Sequence, residues 1–106
     1  MIAAARLASV TARRDKVVAE LRAYQQARAD YIAGTGGPKA IEDARSIATA
    51  VVGRYLLDLA DLIADERADD ATTMRAMAAL LQHKKTITPR ELTDQADLAE
   101  RLARLA

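Results

Sequence analysis

Apolar residues recur along the first third of the chain at alternating spacings of three and four, the period of one face of an α-helix. This first seam consists of Leu7, Val10, Arg14, Val17, Leu21, Tyr24, Arg28 and Tyr31. At Arg14 and Arg28 it holds a charged residue where an apolar one is expected. The pattern predicts a long first helix over about residues 2–33, with two arginines on its buried side.

A second seam follows a glycine-rich segment at residues 34–37. Its members are Ile41, Ala44, Ala48, Val51, Tyr55, Asp58, Leu62 and Asp65. Gly34 suits the left-handed position after a helix, and Pro38 suits the first turn of the next one. We therefore predict a second helix over about 38–68, folded back antiparallel on the first.

The antiparallel hairpin fixes which positions face each other. The predicted neighbours are Val17 with Tyr55, Leu21 with Val51, and Val10 with Leu62. In the same register Arg14 faces Asp58, which predicts a partly shielded salt bridge. Arg28 faces Ala44, which cannot pair with it. An unpaired arginine on a seam is costly to bury, so Arg28 indicates either snorkelling to solvent or a surface completed by another chain.

The second helix carries more apolar residues than one seam requires. The additional residues are Ile47, Val52, Leu56, Leu59 and Ile63. Apolar side chains therefore cover about half of its circumference, which indicates contact with more than one neighbouring helix. We expect the C-terminal third of the chain to supply the second neighbour.

The C-terminal third contains two further predicted helices. The polar run 69–73 indicates a helix start, because Asp is a good N-cap residue. It predicts a third helix over about 70–85 with Met74 in the core, although continuity of helices two and three stays open. Thr88, Pro89 and Glu91 form a capping box flanked by Ile87 and Leu92, which predicts a fourth helix over about 89–105.

No segment has the period-two pattern of a β-strand. The chain of 106 residues has the size of one domain, covering 1–106. The predicted fold class is all-α, a long antiparallel helical hairpin with two shorter C-terminal helices, similar to a four-helix bundle. The core is thin because alanine dominates the apolar residues and Phe and Trp are absent.

Charge and composition narrow the classes of function. The net charge is +1, which provides no general attraction for nucleic acid or a membrane surface. No apolar run reaches the roughly 18 residues of a membrane span. We expect a bacterial protein in the cytoplasm. The absence of cysteine excludes disulfides and thiolate chemistry.

Residues with catalytic or metal-binding potential do not form a recognisable constellation. The single histidine, His83, stands beside two lysines at the end of a predicted helix. The acidic residues between 65 and 70 indicate either a cation or basic-partner site or a solvated helix end. We therefore expect a non-enzymatic protein with no cofactor, no metal and no small-molecule substrate.

Two segments resemble parts of known families. Residues 80–92, which end in Thr88-Pro89-Arg90-Glu91-Leu92, resemble the approach to a winged helix-turn-helix, which implies DNA binding. In that family a glycine turn and a Ser/Thr-rich helix should follow, whereas here Asp94, Asp97 and Glu100 follow. Separately, the hairpin resembles the small secreted hairpin proteins of actinobacterial type VII secretion systems, but their Trp-x-Gly turn is missing.

The leading hypothesis is a helical adaptor that acts by binding protein, either a second copy or a different chain. Phage, secretion-apparatus and chaperone-like components all fit this description. The alternative is a small DNA-binding regulator that uses the C-terminal region. We predict the binding surface at the glycine-turn end, carried by Tyr24, Arg28, Tyr31 and Ile32, since tyrosine and arginine often anchor interfaces. The competing expectation is that helix three or four covers this end.

Overall fold

The computed structural model of this protein describes residues 4–84 and 86–104, and four α-helices account for most of them. The helices are α1 (Ala4–Ile32), α2 (Pro38–Ile63), α3 (Ala68–His83) and α4 (Pro89–Arg104). None of the described residues forms a β-strand. The predicted all-α fold with a long hairpin and two shorter helices is confirmed. Residues 2, 3, 85 and 105 of the predicted helices lie outside the described residues.

Helix α2 is the centre of the molecule and contacts each of the other three helices. Helices α1 and α3 do not contact each other within the described residues, so they lie on different sides of α2. Helix α4 packs on α2 and also touches both α1 and α3. The overall dimensions are 50 × 25 × 16 Å. The prediction that α2 has more than one neighbour is confirmed.

The hairpin between α1 and α2 has nearly the predicted register. Val10 and Leu62 line the same small groove, and Arg13 of α1 forms a salt bridge with Asp58 of α2. The turn depends on Gly34, whose φ of 79° is the only positive φ in the described part of the chain. The backbone N–H groups of Thr35 and Gly36 donate to the carbonyl of Asp30, at 2.9 and 3.2 Å, and close the turn.

The predicted salt bridge between Arg14 and Asp58 is wrong. Asp58 pairs with Arg13 and with Arg54, whose Nε lies 3.2 Å from it. Arg14 pairs instead with Glu100 of α4, with 2.7 Å between Nε and Oε2. Consecutive residues are about 100° apart around a helix, so the change from Arg13 to Arg14 moves the charge from the side facing α2 to the side facing α4.

The boundary between α2 and α3 also differs from the prediction. Helix α2 ends at Ile63 rather than near residue 68, and a turn over 64–67 excludes a continuous helix. The backbone of Arg67 leaves the helical region, with φ −136° and ψ 62°. Ile63 and Ala71 are both fully buried, whereas no large apolar residue lies between them. Because these intervening residues offer no large apolar side chain to the core, packing does not extend α2 beyond Ile63. The chain reverses direction there.

Side chains from all four helices form one core. Its largest fully buried members are Leu56, Ile63, Met74, Ile87, Leu92, Val17 and Val52. No charged side chain is buried within the described residues. The predicted place of Met74 in the core is confirmed. Within α4, Leu92 is fully buried, whereas Leu98 and Leu102 are half-buried.

The capping box at the start of α4 is confirmed. The backbone N–H of Glu91 donates to Oγ1 of Thr88 at 3.2 Å, and the Thr88 hydroxyl donates in turn to the Glu91 carboxylate at 3.4 Å. Ile87 and Leu92 are both buried, as the hydrophobic staple requires. Local residues alone therefore fix where α4 begins.

We expect Thr88→Ala to lower the free energy of unfolding by about 1 kcal/mol, because the N–H of Glu91 loses its acceptor. Urea denaturation followed by circular dichroism measures this change. Thr86→Ala is the matched control, since Thr86 is exposed in the same connection and outside the cap. Equal losses for the two variants would contradict the capping role.

Candidate protein-binding groove

A shallow groove lies between the C-terminal end of α1 and the first turns of α4. Its volume is about 490 Å³. We call it the turn-end groove, because it lies at the same end of the molecule as the glycine turn. Its lining residues are Gln25, Arg28, Ala29, Ile32, Pro89, Arg90 and Thr93. The structure therefore brings two predicted site residues, Arg28 and Ile32, into one concave surface.

The apolar part of the turn-end groove is exposed. Ile32 is 81% exposed, the largest exposed fraction among the large apolar residues of the described chain. Tyr31, its neighbour in sequence, is 50% exposed. Ala29 is exposed too and lines the groove, whereas Pro89 lines it but is itself buried. Burying such side chains against a partner stabilises a complex by roughly 25 cal/mol per Å² of apolar area.

Neither arginine of the groove forms an ion pair with any residue that the structure describes. Ion pairs among the described residues engage arginines at positions 13, 14, 45, 54, 67, 75 and 104, but neither Arg28 nor Arg90. Both guanidinium groups lie on exposed residues. Arg90 also stands in the first turn of α4, where the helix dipole adds positive potential. The groove therefore has two free cations beside an exposed apolar side chain.

Tyr24 has a different place from the predicted one. Its side chain is 4% exposed, and its hydroxyl donates a hydrogen bond to the backbone carbonyl of Ile87. Burial raises the pKa of the Tyr24 phenol, although nearby Arg28 and Arg45 act in the opposite direction. Tyr24 thus joins α1 to the connection before α4, and it positions the first turn that carries Arg90. Of the four residues predicted to form the binding surface, Arg28, Tyr31 and Ile32 are exposed.

The competing expectation, that a C-terminal helix covers the turn end, holds in part. The connection before α4 covers Tyr24, but Arg28 and Ile32 remain open. Sequence reasoning missed the α4 side of the groove, which comprises Pro89, Arg90 and Thr93. The capping box located the start of α4 along the chain. It gave no information about which part of α1 that start would touch.

A second charged cluster holds the opposite end of α4 against α1. Arg14 bonds to Glu100, which also accepts a hydrogen bond from Arg104 at 2.6 Å. The hydrogen bond from Arg14 is the main cause of the lowered pKa of the Glu100 carboxyl. Burial raises the pKa of the adjacent Tyr55 to about 12, so the phenol stays neutral. These charges satisfy each other, so the cluster fastens α4 and offers little free charge to a ligand.

At least one of the acidic residues between 65 and 70 has a structural role. Asp70 lies in the first turn of α3 and forms a salt bridge with Arg67 at 2.5 Å. Within the part of the chain that the structure describes, no group of three or more His, Asp or Glu side chains is arranged to hold a metal ion. Nor does any helix in that part combine the length and apolar character needed to cross a bilayer.

No protein-family model, no curated protein and no solved structure matches the chain. The case for the turn-end groove as a binding site therefore depends on its lining residues alone.

Proposed function

We propose that this protein is a non-enzymatic helical adaptor that binds a protein partner in the turn-end groove. The observation that carries the proposal is the combination of two unpaired arginines, Arg28 and Arg90, with the 81% exposed Ile32 in one groove. Arginine and large apolar side chains supply much of the energy at protein interfaces. Most other arginines with described side chains have a carboxylate partner; Arg22 and Arg101, like the two groove arginines, form no ion pair among the described residues, but neither lines the groove.

The groove also indicates the chemistry of the partner. Two cations and the positive end of α4 favour carboxylates, and Ile32 favours an apolar side chain between them. A segment that carries acidic and apolar residues on one face fits both features. Such a segment can come from any of the assemblies that use small helical adaptors, including phage, secretion and chaperone systems.

The test uses a designed probe. It is a helical peptide of roughly 15 residues with leucine and glutamate alternating on one face, labelled for fluorescence anisotropy. We expect micromolar binding that weakens with salt. If each charge pair is worth about 0.5–1 kcal/mol, Arg28→Ala with Arg90→Ala weakens binding by roughly 5- to 30-fold.

Two controls make the result specific. Lys16→Ala with Arg101→Ala removes the same charge from exposed positions outside the groove and should leave the affinity nearly unchanged. A peptide with lysine in place of glutamate should not bind. Equal weakening by both double variants would indicate general charge attraction and would count against the groove.

The DNA-binding alternative has a test of its own. It predicts a gel shift with duplex DNA at low salt, where phosphate contacts appear first. The exposed residues of α4 include Asp94 and Asp97, which repel phosphate. We expect no shift under conditions in which the acidic peptide binds. A shift that Arg90→Ala abolishes would favour the DNA-binding alternative over the adaptor.

A further inference from the structure

A cavity lies between α2 and the C-terminal end of α3. It is lined by α2 between residues 45 and 57, and by the end of α3 and the connection after it between residues 78 and 84. We call it the α2–α3 cavity. Its volume of about 510 Å³ is typical of sites that bind small molecules. It shares no lining residue with the turn-end groove, so it is a separate feature of the molecule.

The α2–α3 cavity has an apolar floor. Ala78 and Leu81 of α3 are buried, and Leu57 of α2 is half-buried. Around this floor, the exposed residues Ser46 and Gln82 contribute a hydroxyl group and a carboxamide. Small-molecule sites combine an apolar surface with a few polar groups in the same way.

Gly53 keeps the cavity open. It lies inside α2 and lines the cavity, and a Cβ atom added to it would meet nothing within 4 Å. Glycine is less favourable than alanine inside a helix, and no close contact among the described residues requires it here. The missing side chain leaves room for a ligand to approach the backbone of α2.

Three cations surround the cavity, and no carboxylate lines it in the part of the chain that the structure describes. Each cation has a carboxylate partner outside the lining. The pairs are Arg45 with Glu42, Arg54 with Asp58, and Lys84 with Glu91. These side chains therefore already bind carboxylates at the edge of the cavity.

The ion pairs leave capacity for a further anion. Each pair includes an exposed side chain, so it contributes little to stability and can rearrange. Asp58 also pairs with Arg13, so one carboxylate balances two guanidinium groups. Arg54 contacts Asp58 through Nε at 3.2 Å, and a guanidinium has further N–H donors on its two terminal nitrogens.

We infer that the α2–α3 cavity binds a small organic carboxylate with an apolar body. The apolar body lies on Leu57, Ala78 and Leu81, where it is removed from water. The carboxylate lies between Arg45 and Lys84, because charge-assisted hydrogen bonds to guanidinium and ammonium groups are strong. The ligand is held without chemical conversion, so the inference adds a ligand site to the proposed adaptor.

The first test uses octanoate, which joins a carboxylate to an apolar chain. Acetate has the charge without the chain, and octanol has the chain without the charge. NMR titration should give a dissociation constant below about 1 mM for octanoate, at least about tenfold tighter than for either comparator. The largest amide shifts should occur at Gly53 and Leu81. Absence of octanoate binding, equal binding of octanol, or shifts centred on Ile32 and Arg90 of the turn-end groove overturns the inference.

The second test fills the cavity. Gly53→Leu adds a side chain where a Cβ meets nothing within 4 Å, and leucine favours helix, so the variant should melt no earlier than the wild type. Its affinity for octanoate should fall at least about tenfold, because the leucine occupies the volume that the chain needs. Ala76→Leu is the matched control, since Ala76 is an exposed position of α3 outside the cavity. Unchanged affinity in Gly53→Leu overturns the inference.

The third test removes charge. Arg45→Gln with Lys84→Gln should weaken octanoate binding by roughly 5- to 30-fold and leave octanol unaffected. Lys16→Gln with Arg75→Gln is the control, because both residues also pair with carboxylates but neither lines the cavity. Equal weakening by the two double variants overturns the inference. Gly53→Leu should still bind the acidic peptide, so the cavity and the turn-end groove are tested independently.

Discussion

Leu56→Ala is expected to lower the free energy of unfolding by about 2–5 kcal/mol, since the change leaves a cavity in the centre of the core. Leu56 is fully buried on α2, the helix that contacts all the others. A chain of this size has a total stability of only about 5–15 kcal/mol. The variant is therefore expected to unfold at a much lower urea concentration, as measured by circular dichroism.

Leu80→Ala is the control for this prediction. Leu80 is also a helical leucine, but it is 65% exposed. Its truncation removes little buried area, and alanine has a good helix propensity, so the expected change stays within about 0.5 kcal/mol. Similar losses for Leu56→Ala and Leu80→Ala would mean that α2 is not the centre of the core.

Tyr24→Phe is expected to cost about 1–3 kcal/mol, the second large effect. The substitution keeps the ring but removes the only donor that the Tyr24 side chain offers to the Ile87 carbonyl. A buried carbonyl that loses its hydrogen-bond donor keeps its full desolvation penalty, because no new donor replaces the lost one. Because this hydrogen bond joins α1 to the connection before α4, we also expect faster amide exchange in the first turn of α4.

Tyr31→Phe is the matched control for Tyr24→Phe. Tyr31 lies on the same helix with half of its surface exposed, so water replaces any lost hydrogen bond. Its stability should be unchanged within about 0.5 kcal/mol. If both substitutions cost the same, the contact between Tyr24 and Ile87 does not hold the start of α4.

Features that depend on residues close together in the chain could be predicted from the pattern of residues alone. The seams around Val17 and Tyr55 predicted the long hairpin, because apolar residues that recur every 3.5 to 3.6 positions indicate one face of an α-helix. Gly34 marked the turn, because it is the residue that takes a positive φ without strain. Thr88 and Glu91 marked the start of α4 through bonds over three residues. These signals are local, so no knowledge of the rest of the fold was needed.

The partners of the charged and aromatic residues, in contrast, depend on how the helices pack in three dimensions. Arg13 and Arg14 differ by about 100° around α1, so Arg13 faces Asp58 of α2 and Arg14 faces Glu100 of α4. The same packing buried Tyr24 and brought Arg90 beside Arg28. The pairing of Arg14, the burial of Tyr24 and the position of Arg90 depend on where α4 docks, and the docking is set by core packing between residues far apart in sequence, which no local pattern encodes.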